Sequence, residues 1–338
     1  MGTERQELMN HLLSLIPAVA RLIEEKATLE KRIATLEAVH IPESHAAVPV
    51  QPTWAPPGHF YSPIVDPLDE QVQLAMSSEA APTVVPESMG LDSSLMMEWF
   101  RRIASYYPTH PFPETPSVAS GSGHYYYQNP NFPLADALAL LAIMSIRKPR
   151  RLIEIGSGYS SCAAIDINAS YLEGQVDMTF IEPHPEFALE LLGNTPRFRE
   201  GLLKQKLQDV PVETFLALER GDILFIDSSH VVKTGSDVVD YVFRILPRLR
   251  TGVLVHIHDI FYPFEYPRSW IADENRSWNE AYLVRAFLHQ NRSFQVFYMS
   301  DWIYKCEREL MQQLTPLCVT HRGGSLWMEV VDDRFARE

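Results

Sequence analysis

Residues 151–161 read Arg-Leu-Ile-Glu-Ile-Gly-Ser-Gly-Tyr-Ser-Ser, and the fold is decided there. An apolar, isoleucine-rich strand runs directly into Gly156 and Gly158. Two glycines after a strand let the chain turn tightly and bring backbone against a ligand with no Cβ in the way. A dinucleotide-binding turn wants a third glycine at position 161, which is serine here. A phosphate-cradling loop wants Gly-Lys-Ser/Thr, and no lysine lies near. Glu154, two residues before the first glycine, suits instead a ligand that presents an ammonium group and no pyrophosphate.

Outward from this turn the pattern repeats. Met178–Glu182, Ile223–Asp227 and Val253–His258 are short apolar strands, with helical stretches between them such as Val238–Leu246. Upstream, Asn131 can cap a helix through LADALALLAIMSIR (134–147), with Pro133 in its first turn. Downstream, Asn279–Gln290 reads as a helix, and Phe294–Tyr298 with Leu326–Val330 as a closing hairpin. Continuously apolar strands alternating with helices predict an α/β domain with a parallel sheet covered on both faces. Glu182 closes the second strand 26 residues beyond Gly156, where a carboxylate can accept bonds from both hydroxyls of a ribose.

The N-terminal third has another texture. Leu8, Leu12, Leu15, Val19, Leu22, Leu29, Ile33 and Leu36 step by three and four, with Lys26 in the one polar slot. This is a heptad seam that predicts a helix over 1–40 and a homodimer through it, and Pro17 interrupts it. An amphipathic helix packed on its own domain is the competing reading. From Ile41 to Pro133, 15 of the chain's 25 prolines fall among many aromatics, with a short helix at Leu95–Ala104. The expected organisation is a helix over 1–40, a proline-rich covering segment over 41–115 and a catalytic domain over 116–338.

With 338 residues, 46% hydrophobic and 21% charged, the chain can bury a substantial core. Its net charge of −14 argues against nucleic acid and anionic lipid as partners. No apolar run reaches the length of a membrane helix, and the opening is too charged for a signal peptide. Cys162, Cys306 and Cys318 are odd in number and lack metal-ligand spacing, which fits reduced thiols in a cytoplasmic protein.

RLIEIGSGYSS and FIEPHP resemble the first and second motifs of the class I S-adenosylmethionine-dependent methyltransferases, and ILFIDSSH resembles the fourth. GHFYSP, YYYQNPNF, DILFIDSSHVVKTGSDV and VHIHDIFYPFEYP resemble a bacterial subgroup of that superfamily with few assigned substrates. The resemblance spans about residues 125–330. It implies a Rossmann-like, doubly wound, seven-stranded sheet that binds S-adenosyl-L-methionine. Glu154, Gly156 and Gly158 would lie near the methionyl part, Glu182 on the ribose, and Asp209 near the adenine.

Ligands of open α/β sheets bind at the carboxyl ends of the strands, so Asp227, His230, His258 and Asp259 mark the reaction centre. A divalent metal on Asp227 with His258 and Asp259 is an alternative that is not favoured, because magnesium prefers an all-oxygen set. Without metal, His230 or His258 serves as general base. His256, inside the fifth strand, reads as a hydrogen-bonded core residue. Tyr125, Tyr126 and Tyr127 precede the helix that leads into the first strand, and an aromatic face attracts a sulfonium. Three adjacent tyrosines cannot all face one way. Tyr126 is expected at the cofactor, and Tyr125 and Tyr127 on the substrate side with His59 and Tyr61 as a lid.

The expected activity is methylation of an oxygen or nitrogen of a small molecule. One alternative consumes the same cofactor by ring closure to azetidine-2-carboxylate and methylthioadenosine, as in synthases of this fold. A second is a non-catalytic coiled-coil scaffold.

Overall fold

The apolar runs flanking the glycine turn pair side by side in parallel: β1 (Arg151–Ile155) lies between β2 (Asp177–Ile181) and β4 (Ile223–Ile226). In this computed structural model the described residues are 54–77, 89–116 and 124–333. The heptad seam of residues 8–36, and the dimer expected through it, lie outside them. A two-residue β3 (Leu202–Leu203) joins the far edge of β2. On the other side β5 (Leu254–Ile257) pairs with β4 in parallel. β7 (Leu326–Val330) is antiparallel to both β5 and the edge strand β6 (Phe294–Met299). The order is therefore β3-β2-β1-β4-β5-β7-β6, a doubly wound sheet of seven strands with one reversed.

Two local expectations are corrected. β6 and β7 are neighbours but not a hairpin: three short helices across 300–320 join them, and that excursion carries part of the site. Asn131 does not cap the helix Leu134–Arg147; Pro133 holds the cap position with no side-chain bond. Asn129 organises that entry instead. Its Oδ1 accepts from the Asn131 and Phe132 N–H groups, and its Nδ2 donates to the Tyr126 and Phe132 carbonyls. A side-chain amide that makes four local bonds fixes an irregular turn that regular secondary structure cannot satisfy.

Four helices position the site: α1 (Ser93–Ala104), α2 (Leu134–Arg147), α3 (Tyr159–Tyr171) and α4 (Glu280–Leu288). Helix α1 starts at Asp92, whose carboxylate accepts from the Ser94 and Leu95 N–H groups. Its Met96, Trp99, Phe100 and Ile103 are buried against β6 and α2. Each such side chain contributes roughly 1.5–3 kcal/mol by burial, so Trp99→Ala is the single change that would loosen it most. Leu91, just before, adds a parallel bridge to Val296 at the sheet edge. Helix α2 is buried almost throughout its first eleven residues, Asp136 included. The described residues from Ala55 onward thus belong to one unit. All three cysteines are free thiols. Among the described residues no helix is long and apolar enough to cross a membrane.

Candidate active site

The carboxyl ends of β1, β2 and β4 meet at the glycine turn. Gly156 has φ +82°, and a Cβ there would stand 1.9 Å from the Asp227 carbonyl oxygen. No other residue type fits, because both the backbone angle and the space forbid a side chain. The turn is pinned on both sides: Gly156 donates to Ile181 O at 3.0 Å, and Asp227 donates to Ile155 O at 2.8 Å. Glu182 accepts from the Ser157 N–H at 3.3 Å through Oε2 and from the His184 N–H at 2.8 Å through Oε1. Burial pushes its carboxyl up despite those bonds.

Glu154 lies at the bottom of this cradle, 1% exposed. Its Oε1 accepts the Ser160 hydroxyl at 2.5 Å, whereas the buried Oε2 has no partner. Burial pushes the group up to about 8, against the hydroxyl bonds of Ser160 and Ser161. A buried carboxylate oxygen without a donor is costly to leave unsatisfied, so it marks a place for a bound donor. Over the turn, the Tyr126 and Tyr159 hydroxyls meet at 3.0 Å, and Phe187 packs edge-on against Tyr159 at 5.8 Å. Tyr159 and Phe187 are aromatics the sequence reading missed. Tyr159 opens the helix after the glycines, and that position was its only signal.

The ends of β4 and β5 form the other half. His230 stands between carboxylates: Nδ1 is 2.8 Å from Glu280, and Nε2 is 3.4 Å from Asp227 and 3.7 Å from Asp259. Glu280, 0% exposed at the start of α4, also accepts the hydroxyls of Ser228 at 2.9 Å and Tyr241 at 2.8 Å. Burial alone would strip the proton from His230, but Glu280, Asp227 and Asp259 outweigh it and hold the ring well above its ordinary range. His258 faces Asp259 at 3.4 Å and the Asn131 carbonyl at 3.3 Å through Nε2, and Asp136 at 3.9 Å through Nδ1. Burial opposes its charge too, yet Asp259, Asp227 and Asp136 raise it to about 9. Asp227 is pushed up by burial, but the two imidazoles prevail and its carboxyl stays below the ordinary range. At Asp259 burial prevails and the carboxyl moves up.

The carboxylates around both rings run against the expectation that His230 or His258 is the general base. Their carboxylate partners favour the charged form of both rings, and a ring that holds its proton is a poor acceptor for another. The same arrangement bears on the metal alternative. The His230 imidazolium stands between Asp227 and Asp259, and no set of three His, Cys, Asp or Glu side chains among the described residues is arranged to hold a metal ion. Asp227, His258 and Asp259 are neighbours here but do not fit a metal.

His230 (φ +59°) and Asp259 (φ +58°) both adopt left-handed backbone, a strained conformation for non-glycine residues. The His230 carbonyl is locked by the N–H groups of Asn279 at 3.1 Å and Glu280 at 3.2 Å. Behind His258, Asp136 accepts from the Gly324 and Ser325 N–H groups, both at 3.0 Å, and from the Ser300 hydroxyl at 3.3 Å. The loop before β7 thereby closes onto α2, and a Cβ on Gly323 would strike Asp136 at 1.9 Å. Glu280 and Asp136 were absent from the sequence reading. A lone aspartate in the apolar run LADALALL was the available signal for Asp136. Beside Asp259 opens a cleft of about 270 Å³ walled by Asn131, Phe261, Trp270, His321, Arg322 and Gly324.

The remaining expected residues fall elsewhere. Tyr125 is wholly buried and gives its hydroxyl to Phe132 O at 2.7 Å, so it is a core residue and not a lid. Tyr127 is buried against His321. His59 and Tyr61 sit on the surface, where the rings of His59, Phe60 and Tyr61 stack on one another. Asp209 ends an exposed turn after β3. His256 is a core residue: Nε2 meets Ser325 Oγ at 2.9 Å, its ring stacks on Phe225 at 3.8 Å, and burial holds it neutral.

Residues 153–260 match a family described as a methyltransferase domain. An uncharacterized protein of Archaeoglobus fulgidus is 34% identical over 170 residues, which is 50% of this chain and 75% of that protein. Among solved structures, the Podospora anserina methyltransferase PaMTH1 is similar at 12% identity and a TM-score of 0.37, over 79% of this chain and 99% of that one. The O-methyltransferase TomG of Streptomyces achromogenes is similar at 14% identity and a TM-score of 0.36, over 77% and 96% of the two chains.

Proposed function

We propose, from the methyltransferase-domain match over residues 153–260 and the sheet order, that the chain is a class I S-adenosylmethionine-dependent methyltransferase that methylates an oxygen or nitrogen of a small molecule held in the cleft beside Asp259. One observation carries the reading. The glycine turn is ringed by the acidic side chains of Glu154, Glu182 and Asp227, none of them ion-paired to a lysine or arginine among the described residues, and Glu154 keeps a buried oxygen without a partner among them. Such a cradle offers a phosphate no lysine or arginine, and suits a ligand that brings its own positive charge, an ammonium and a sulfonium, whose arrival favours the ionised form of Glu154. The residues therefore fit S-adenosylmethionine: Glu154 would take the ammonium, Glu182 the ribose hydroxyls, and the Tyr126 and Tyr159 rings the cationic end.

Bound there, S-adenosylmethionine supplies a methyl group activated by a positive sulfur. The protein's task is alignment and proton removal. Asp259 opens on the cleft and would take the acceptor's proton as the acceptor lone pair bonds to the methyl carbon and the carbon–sulfur bond breaks, its electron pair leaving on the sulfur. Its carboxyl is raised by burial, which moves it toward a base that works near neutral pH. His230 and His258 hold Asp259 in place from either side, and their positive charge balances that of the neighbouring carboxylates. The open cleft next to Asp259 favours an external acceptor over ring closure of the cofactor.

Mass spectrometry of the full chain incubated with S-adenosylmethionine, alone and with pooled hydroxylated and amino small molecules, tests this. Acceptor-dependent adenosylhomocysteine supports methyl transfer. Methylthioadenosine formed without acceptor would overturn it in favour of cyclisation.

A further inference from the structure

The segment Arg268–Asn279 carries two tryptophans that face different parts of the site. Trp270 walls the acceptor cleft, and Trp278 lies on the His230 ring, centroids 4.2 Å apart and planes 31° apart. Between the tryptophans stands Arg276. Its guanidinium is 4.2 Å from the Trp270 ring centre and 4.5 Å from that of Trp278. The Arg276 backbone N–H donates to the Trp270 carbonyl at 2.8 Å, and Glu274 holds the guanidinium Nη2 at 2.6 Å. The two indoles meet edge to face at 5.3 Å. A planar cation over two aromatic faces is held by attraction to both rings, which a flexible ammonium does not reproduce.

We propose that Arg276 is a positioning residue: by clamping Trp270 to Trp278 it fixes the His230 imidazole against Asp227 and Asp259, and so ties the wall of the acceptor cleft to the reaction centre. The inference rests on placing His230 at that centre. Three fasteners hold the ring. Glu280 grips Nδ1 from below, the N–H groups of Asn279 and Glu280 hold the His230 carbonyl, and Trp278 covers the ring face. The third runs to the cleft wall, where Trp278 meets Trp270 edge to face and Arg276 clamps the two indoles together. A ring released by Trp278 can swing about Nδ1 without losing Glu280, but its Nε2 then leaves Asp227 and Asp259. Displacement of Trp270 by an acceptor reaches His230 along the same path.

The groups facing His230 are Glu280, Asp227 and Asp259, with His258 beyond Asp259, the Tyr241 hydroxyl on Glu280, and Arg276 across Trp278. This makes opposite signs available. If Arg276 acts only as a nearby positive charge, removing it makes the His230 proton easier to hold. If it acts as a clamp, removing it separates the ring from two carboxylates and makes the proton easier to lose.

The experiment follows the ring resonances of His230 in the full chain labelled with ¹³C-histidine, assigned by the signal missing in His230→Gln. Arg276→Gln should lower the His230 titration midpoint by about one pH unit. Arg276→Lys, which keeps charge but not the planar sandwich, should fall with it. An unchanged or raised midpoint in Arg276→Gln, or full rescue by lysine, overturns the clamp. Trp278→Leu breaks the same connection from the other side and should also lower the midpoint; it decides the matter if Arg276→Gln does not fold. S-adenosylmethionine affinity, measured by calorimetry on the same samples, should stay within about twofold. Failure of the wild-type chain to bind that cofactor would refute the proposed function and leave the clamp to be judged on the titration alone.

Discussion

The two halves of the site are built by different means. On the β1–β2 side, backbone does the work. A strand, two glycines and a carboxylate at the end of the next strand are joined mostly through backbone groups of adjoining strand–turn units, as in Ser157 to Glu182 and Gly156 to Ile181, with the Asp227 N–H to Ile155 O bond tying in β4. On the β4–β5 side, side chains do the work, and they come from far apart. Asp136 reaches Gly324 and Ser325, and Glu280 gathers Ser228, His230 and Tyr241. The first half is a cradle whose shape the local chain dictates. The second is a buried charge network that exists only once the fold has closed. It follows that damage to the first should appear in backbone geometry and cofactor affinity, and damage to the second in stability and proton affinity.

The comparison breaks most easily at Gly156. Gly156→Ala places a methyl 1.9 Å from the Asp227 carbonyl in a left-handed backbone, and should cost more than about 4 kcal/mol of unfolding free energy. Urea denaturation checks this, and a wild-type midpoint would mean the turn is not as tight as described. In the other half, Glu280→Ala leaves the His230 imidazolium without its closest partner. It should cost about 3–5 kcal/mol, with the His230 titration midpoint falling at the same time. A loss below about 1 kcal/mol would show that the network is not closed by Glu280.

Two smaller effects sharpen the cradle. Glu182→Ala should keep the fold and weaken S-adenosylmethionine binding by roughly 1–3 kcal/mol, through lost charge-assisted bonds. Unchanged affinity by calorimetry would remove Glu182 from the site. Glu154→Gln should weaken binding by about tenfold, or ~1.4 kcal/mol, for loss of the ammonium partner. It also has a pH signature. The folded state holds the Glu154 proton up to about 8, whereas an ordinary glutamate releases it near 4.5. Between those values the folded chain binds more protons than the unfolded one, so wild-type stability falls as pH rises through that window. The glutamine variant should lose that slope and exceed wild type in melting temperature at pH 8 when ligand-free. A parallel pair of melting curves would contradict the burial assigned to Glu154.

The sequence by itself determined the fold class, the strand that ends at Gly156, and Glu154, Glu182 and Asp227 as carboxylates around one turn. These follow from near-neighbour chemistry: apolar strand periodicity, glycine's freedom at positive φ, and the fixed spacing of strand–helix–strand units. Tertiary structure alone decided what the second half does. That the surroundings of His230 and His258 favour their charged forms depends on Asp136, Glu280 and Asp259 being packed within 2.8–3.9 Å of the two rings. Sequence separation hides those distances. Likewise Tyr125 and Tyr127 belong to the core while Tyr126 faces the glycine turn, because Asn129 twists the entry to α2 and sends adjacent side chains to different surroundings. A residue's type limits which charges it can carry, but the partners that select among them arrive only when distant segments close on one low-dielectric site.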